Sequence, residues 1–186
     1  MNETLLSIKN RRSTKKFQAR QISEQELQAI LEAGILAPNA RNQQKWQFTV
    51  MQKKDLMDKM VVIIKENIMK SNNEFLKQRA SVPNYHTFYN APTVIMITAD
   101  EKAQWIELDC GAAMENMTLA AESMGIGSCI IASSAFLLES EKGKTYRKEL
   151  VIPEGYKYIC TVAFGYKQGE NPNPQIRNRE VVNYIR

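Results

Sequence analysis

The run from Ile106 to Met124 leaves few architectures open. Ile106, Cys110, Ala113, Met114, Met117, Ala121 and Met124 recur on one side at helical spacing, with Leu108 and Leu119 on another. A helix that is apolar nearly all round must be enclosed, in a large core or across a subunit interface. Asp109, Ala112, Ala113, Asn116 and Ala120 form a face of small residues that lets another helix approach closely. The methionines read as core gap-fillers. Asn116 sits among apolar neighbours and needs a hydrogen-bonding partner, from a cofactor or an adjacent helix. Gly125-Ile126-Gly127-Ser128 ends the helix and leads into Cys129-Ile130-Ile131-Ala132-Ser133-Ser134. The third glycine and the following helix of a dinucleotide fingerprint are missing, which excludes a Rossmann unit. The run reads instead as a strand, then a bend at Ala132 to Ser134 whose main-chain amides are available to a ligand.

The remaining elements are arranged around that helix. Residues 3 to 10 read as a short helix with Leu5, Leu6 and Ile8 as apolar members. Ser23 and Glu26 make a capping box, and Leu27, Ile30, Leu31, Gly34 and Ile35 follow at helical spacing as one buried face. Pro38 closes that helix by driving Ala37 from the helical region. Trp46, Phe48 and Val50 alternate with Gln47 and Thr49, the pattern of a half-buried strand. Residues 55 to 69 predict an amphipathic helix with Leu56, Met60, Ile63 and Ile64 inward. After Ala91-Pro92, Thr93 to Thr98 is a continuous apolar run suited to a central strand. Leu137 to Leu150 is a polar helical segment, Pro153-Glu154-Gly155 a turn, and Tyr158 to Gly165 the last core strand. About four strands mostly separated by helices place the chain in the α+β or α/β class.

A length of 186 residues supports one core without staples, so we expect a single domain over 1–186. Its C-terminal arm is 168–186: a Pro-rich stretch, then Val181-Val182-Asn183-Tyr184-Ile185, an apolar tail that docks on its own domain or a partner subunit. No run is apolar for long enough to span a bilayer, and Met1-Asn2-Glu3-Thr4 lacks a signal-peptide layout. Cys110, Cys129 and Cys160 are odd in number, far apart and set in apolar runs, as expected of reduced core residues in a cytoplasmic protein, without metal-ligand spacing. Residues 70 to 90 are polar, with Phe75, Tyr85, Phe88 and Tyr89 irregularly spaced, and read as a mobile cover. The single histidine, His86, lies there as a surface or lid residue; alone it builds neither a hydrolytic triad nor a metal site.

Two segments carry chemistry. Arg11-Arg12-Ser13-Thr14-Lys15-Lys16 puts four cations and two hydroxyls within six residues. Arg grips phosphate by a planar fork and hydroxyls add oriented donors, so this is a phosphate clamp or a solvated basic loop. Ala37-Pro38-Asn39-Ala40-Arg41-Asn42-Gln43-Gln44-Lys45-Trp46 is a small, amide-rich connector between helix and strand. The carboxamides of Asn39, Asn42, Gln43 and Gln44 donate and accept, which suits a planar heterocycle with imide and carbonyl edges. An ordinary helix-to-strand turn is the alternative.

The ordered set Arg11-Arg12-Ser13 with Lys15 and Phe17, Ala37-Pro38-Asn39-Ala40 with Asn42, Gln44 and Trp46, Ala91-Pro92, Asp109 to Ala121 with Asn116, Gly125 to Ser128, Gly165-Tyr166 and Arg177 resembles the nitroreductase-like family of FMN enzymes. The resemblance covers nearly the whole chain. It implies an α+β fold: a central, mainly antiparallel sheet flanked by helices, with the C-terminal arm exchanged in a homodimer and two FMN sites at the interface. Arg11, Arg12, Ser13 and Lys15 would serve the phosphate and ribityl chain, and Arg177 would close on the phosphate. Pro38, Asn39, Ala40, Asn42 and Gln44 would come from the partner chain and pack on the flavin. The backbone of Ile131, Ala132 and Ser133 would lie against the ring, and Asn84 would reach the pyrimidine. The long helix around Asn116 would form the dimer core. This chain has Gln44-Lys45-Trp46 where the family often has Gln-Pro-Trp, and Gln175 where it often has Lys, with Arg179 as the nearest substitute.

The implied activity is ping-pong hydride transfer from NAD(P)H through FMN to a small-molecule acceptor, nitroaromatic or quinone, with no essential acid or base side chain. Two rival readings stand beside it. One is a same-fold flavoenzyme for a specific metabolite, its choice set by residues 70 to 90. The other is a basic nucleic-acid-binding module using Arg11, Arg12, Lys15, Lys16 and Arg177, suggested by the net charge of +5. The basic residues form no helical stripe and show no aromatic interleaving, so neither nucleic acid nor membrane is an expected partner.

Overall fold

A computed structural model describes residues 2–138, 140–170 and 173–186. Met1 of the expected leaderless start, Glu139 of the expected polar helix, and Asn171 and Pro172 of the arm lie outside the described residues. Twelve elements follow in chain order: α1 (Glu3–Asn10), α2 (Glu24–Ile35), a 3-10 turn (Ala40–Asn42), β1 (Trp46–Met51), α3 (Lys54–Lys70), α4 (Glu74–Ala80), β2 (Thr93–Asp100), α5 (Ile106–Ser123), β3 (Ile126–Ile131), α6 (Ala135–Leu138), α7 (Glu141–Glu149) and β4 (Tyr156–Tyr166).

The strands form one sheet in the order β1-β2-β4-β3, every pair antiparallel. β2 is central and divides its side chains by the two-residue period. Val94 and Met96 enter a core with α3, α6 and the 80–91 segment. Ile95, Ile97 and Ala99 enter a second core with α2 and α5. The sheet is thus covered on both faces, which is why β2 reads as an uninterrupted apolar run.

Helix α2 starts on the predicted capping box, where Ser23 Oγ accepts from the Glu26 N–H at 3.3 Å and Glu26 Oε2 accepts from the Ser23 N–H at 2.7 Å. It packs on α5 at very close range: a Cβ on Gly34 would stand 2.1 Å from Met117 Cε. Asn116 finds its partner in this neighbouring helix, donating from Nδ2 to the Ala33 carbonyl at 3.1 Å.

Several expectations need correction. α5 buries Ile106, Asp109, Cys110, Ala113, Met117, Thr118 and Ala121, but Leu108 is 72% exposed, so one side of the helix is open in the single chain. Leu5, Leu6 and Ile8 of α1, and Ile35 with the following Leu36, are exposed too. In α3 the buried stripe is Met57, Met60, Val61, Ile64 and Ile68, with Leu56 and Ile63 only flanking it. The expected helix from Leu137 to Leu150 is two, α6 and α7. Ser140 caps the second, and Gly143 is required because a Cβ there would overlap the Leu137 carbonyl oxygen at 1.6 Å.

The 70–90 cover is largely structural: Phe88 and Ala80 are fully buried, and Tyr85 and Tyr89 pack on the α3 core. His86 is not a surface residue. Its side chain is 12% exposed; Nδ1 accepts the Phe88 and Asn90 N–H groups, each at 3.2 Å, and Nε2 lies 3.2 Å from Asp58 Oδ1. The arm has no helix or strand from 173 to 186, and Ile176, Val181, Val182, Tyr184 and Ile185 are all exposed. Among the described residues no helix is long and apolar enough to cross a membrane.

Candidate functional site

The basic segment is laid along one end of the sheet. Ser13 forms a parallel bridge with Ser128, and the Thr14 N–H donates to the Ser128 carbonyl at 2.9 Å. Farther on, Phe17 bridges Lys167, and the Gln18 N–H donates to the Tyr166 carbonyl at 2.9 Å. Gly127 makes room for this approach, since a Cβ there would meet Thr14 Oγ1 at 2.6 Å. Of the two glycines after α5, Gly127 therefore serves strand-to-strand contact, and Gly125 takes the left-handed turn (φ 74°) that follows the helix.

Within the segment the cations divide. Arg11 Nε lies 3.6 Å from Glu115 on α5. Arg12 Nη1 donates to the carbonyls of Lys9 and Arg11 at 2.8 and 2.6 Å, a cation seated on the C-terminal end of α1. Ser13, Lys15 and Lys16 remain exposed and line a depression of about 260 Å³ with Lys167 to Glu170. Lys15 Nζ also stands 5.9 Å from the centroid of the Tyr89 ring.

The amide-rich loop is built on Asp109, a residue whose role the sequence did not reveal. Its carboxylate is 4% exposed and accepts from the Ala40 N–H and from Gln43 Nε2, both at 3.0 Å. Gln43 Nε2 also donates to the Gln104 carbonyl at 2.8 Å. Asn39 Oδ1 accepts from the Gln44 N–H, and Asn42 Oδ1 from Gln44 Nε2, each at 3.0 Å. Arg41, Asn42 and Gln44 hold left-handed backbone (φ 56°, 51° and 47°), conformations this network stabilises. Much of the expected hydrogen-bonding capacity is thus spent on the loop itself; Pro38 and Asn42 stay exposed on its surface.

The third part lies where β3 ends. Ile131 is buried, Ala132 exposed and Ser133 half-buried. With Leu76, Arg79, Tyr89, Ile130 and Phe136 they surround a cavity of about 230 Å³. Tyr158 Oη donates to the Ile131 carbonyl at 2.8 Å and fixes the strand end. The Oγ of Ser134, next in the bend, is buried with no hydrogen-bond partner among the described residues. Arg79 Nη2 donates to Tyr89 Oη at 2.7 Å. Burial pushes the Tyr89 phenol above its ordinary pKa, so it stays protonated at neutral pH.

Burial also raises the Cys129 thiol, with Lys15, Arg79 and Arg11 pulling the other way; three cations therefore face this region. Cys110 and Cys160 are pushed up to about 12, chiefly by burial, and are inert thiols. Arg79, Leu76, Tyr89 and Phe136 were not among the sequence-derived site residues. For Leu76, Arg79 and Tyr89 the only signal was the aromatic, patternless 70–90 stretch, and Phe136 carried none.

The clamp and the bend share β3, with Ser128 and Ile131 three residues, or about 10 Å, apart along the strand. The loop at 38–44 instead leads into β1, the opposite edge of the sheet, three strand spacings or about 14 Å away. No hydrogen bond or ion pair links its side chains to the clamp or the bend among the described residues. Asn84 is exposed at a left-handed position (φ 60°), and Arg177 is exposed in the arm. Among the described residues no group of three or more His, Cys, Asp or Glu side chains is placed to hold a metal.

Comparison with known proteins places this geometry in context. The family model described as "Nitroreductase family" matches residues 8–166. The chain is 33% identical over 176 residues to an Archaeoglobus fulgidus protein that carries the provisional name NADH dehydrogenase/NAD(P)H nitroreductase, covering 91% of this chain and 88% of that one. A Bacteroides fragilis nitroreductase crystallised with bound FMN superposes with a TM-score of 0.92 at 33% identity, over the full length of both chains. An FMN-bound nitroreductase from Desulfitobacterium hafniense gives 0.93 at 30% identity, again over both full lengths.

Proposed function

The chain belongs to the nitroreductase family, and from that premise we propose that it is an FMN-dependent NAD(P)H oxidoreductase, working as a homodimer, that reduces nitroaromatic or quinone-type acceptors. The observation that carries the reading is the layout along β3. Exposed Ser13 and Lys15 stand at one end, and the main-chain bend of Ile131 to Ser133, with the unpartnered Ser134 Oγ beside it, at the other. That is a donor set for an anionic phosphate and for a ring with polar edges, separated by the reach of a ribityl chain.

In this reading Arg11, Ser13 and Lys15 hold the phosphate and ribityl hydroxyls, while Arg12 anchors the segment to α1. The main chain of Ile131, Ala132 and Ser133 lies along the ring, and Asn84 offers its exposed carboxamide to the pyrimidine edge. Pro38, Asn39, Ala40, Asn42 and Gln44 are contributed by the second copy of the chain, because in one copy that loop sits on the opposite sheet edge. Arg177 reaches the phosphate from the arm. Asp109 keeps the loop in its bonded shape before the cofactor arrives, so little ordering cost falls on binding.

FMN, once bound, supplies the hydride chemistry. The chain supplies position and a dry surface: Leu76, Ile131 and Phe136 exclude water, and Tyr89 and Arg79 offer donors at the rim. Donor and acceptor would take turns at the bound cofactor. Among the described residues no His, Asp or Glu side chain lines the β3 cavity. The rival nucleic-acid reading loses Arg12 to the end of α1.

Initial rates with NADH and a quinone at several fixed quinone concentrations test the proposal. FMN-loaded protein is expected to give parallel double-reciprocal lines. Converging lines would contradict alternating occupancy, and no NADH oxidation would remove the enzymatic reading.

A further inference from the structure

A second cavity, of about 330 Å³, is bordered by the start of α3, the 86–92 segment and the chain that follows the basic clamp. None of its lining residues borders the β3 cavity or the clamp depression. Its size falls at the lower end of the range for small-molecule pockets. Phe17, Met57 and Ala91 are buried and, with Pro92, give it an apolar lining.

Its charged side chains are Lys54 and Asp58, one of each sign. They stand one helical turn apart on α3 and pair with each other while 74% and 41% exposed. An exposed pair of this kind contributes little to stability, so both charges are open to other partners. The carboxylate is oriented all the same. His86 Nδ1 accepts the Phe88 and Asn90 N–H groups, which puts the imidazole proton on Nε2, and Nε2 donates to Asp58 Oδ1 at 3.2 Å. Two amides offer further hydrogen bonds. Gln52 Nε2 donates to Thr93 Oγ1 at 3.0 Å, while its Oε1 accepts no hydrogen bond among the described residues. The Asn90 carboxamide forms none there either, and its backbone is held in a left-handed position (φ 54°) by the bond to His86. Gln21 is spent on the wall, donating to the Pro92 carbonyl at 2.9 Å and accepting from Thr93 Oγ1.

A ligand of a single charge would meet a like charge beside its partner, and a neutral one would leave both charges unmatched. A zwitterion answers both. Lys54 and Asp58 are in direct contact, so the ligand's two charges must be adjacent as well, which excludes an ω-amino acid. The apolar lining then takes a hydrocarbon side chain.

Independently of the flavoenzyme reading, we propose that this cavity binds a free α-amino acid with an apolar side chain. Asp58 receives the ammonium and Lys54 the carboxylate, and the amides of Gln52 and Asn90 meet the hydrogen-bonding groups left over.

The test is calorimetric titration of protein saturated with FMN, so that the β3 cavity is filled. L-phenylalanine is compared with phenethylamine, which lacks the carboxylate, and with 3-phenylpropanoate, which lacks the ammonium. Each analogue is expected to bind about tenfold more weakly, the scale of a hydrogen bond between charged groups. Lys54→Met is expected to weaken L-phenylalanine by a similar factor and to leave phenethylamine unchanged. Asp58→Asn is expected to weaken L-phenylalanine and phenethylamine but not 3-phenylpropanoate. Asp58 also holds His86, so the exposed Lys54 decides the matter if Asp58→Asn does not fold. No saturable heat with L-phenylalanine would overturn the proposal. So would equal affinity in wild type and Lys54→Met, or analogues that bind as tightly as the amino acid. Protein that takes up no FMN refutes the flavoenzyme reading instead, and the same titrations then decide this site.

Discussion

At the residue scale the amide-rich loop shows how a site is built before any ligand arrives. Asp109 is nearly buried and receives the Ala40 N–H and the Gln43 carboxamide. Replacing it with Ala leaves the Ala40 N–H without its acceptor and the Gln43 carboxamide with only the Gln104 carbonyl, at about 1–3 kcal/mol for a donor left buried and unpaired. We expect Asp109→Ala to lower the stability by about that much in urea unfolding and to weaken FMN uptake, with Asp109→Asn in between. A stability equal to wild type would show that the loop does not rest on this carboxylate. The sequence displayed the loop, because Pro38 and four carboxamides mark it by composition. It concealed Asp109, because an acid in the first turn of a helix is ordinary wherever it occurs. Arg79 was hidden for another reason: α4 has seven residues, too few for a periodic signal, and its partner Tyr89 lies ten positions on.

At the scale of elements, most helices and all four strands were legible, because capping, periodicity and β-branched runs are local. The order β1-β2-β4-β3 was not, since it depends on pairing between distant segments. The 70–90 stretch was misjudged because its order comes from a short capped helix, scattered buried side chains and one imidazole, not from periodicity. His86 accepts two main-chain N–H groups at Nδ1, which requires that nitrogen to be unprotonated. Burial lowers its pKa below the ordinary 6.5, against the pull of Asp58, while Lys54 adds a small push the same way. The unfolded chain therefore takes up the proton first. The contribution of this turn is full above about pH 6.5 and declines as pH falls through that value toward the lower folded pKa. Asp58 has a lowered pKa and stays ionised across that window. Since His86 is the only histidine, the urea midpoint between about pH 7.5 and 5.5 reads it directly: we expect a fall in acid, and a flat profile would contradict the assignment.

At the scale of the molecule, the single chain exposes apolar side chains that the proposed homodimer would cover. Leu5, Leu6 and Ile8 of α1, Leu36 after α2, Leu108 of α5 and the apolar residues of the arm are each exposed, an unusual amount of apolar surface to leave in water. The two halves of the proposed flavin site lie on opposite edges of the sheet, and in the proposed dimer a second copy would join them. The apolar character of α5 was plain in the sequence, but not which part packs on α2 and which stays open. That division depends on Gly34 admitting Met117 at close range. The central claim is that FMN is bound by two chains jointly and is reduced there by NADH. Sedimentation velocity of the FMN-loaded protein, followed at the visible absorbance of the flavin before and after anaerobic NADH, tests it in one experiment. We predict that the colour travels with a particle of twice the 21.3 kDa chain mass and bleaches when NADH is added. Colour that sediments with the single chain, or protein that carries none, would contradict the account.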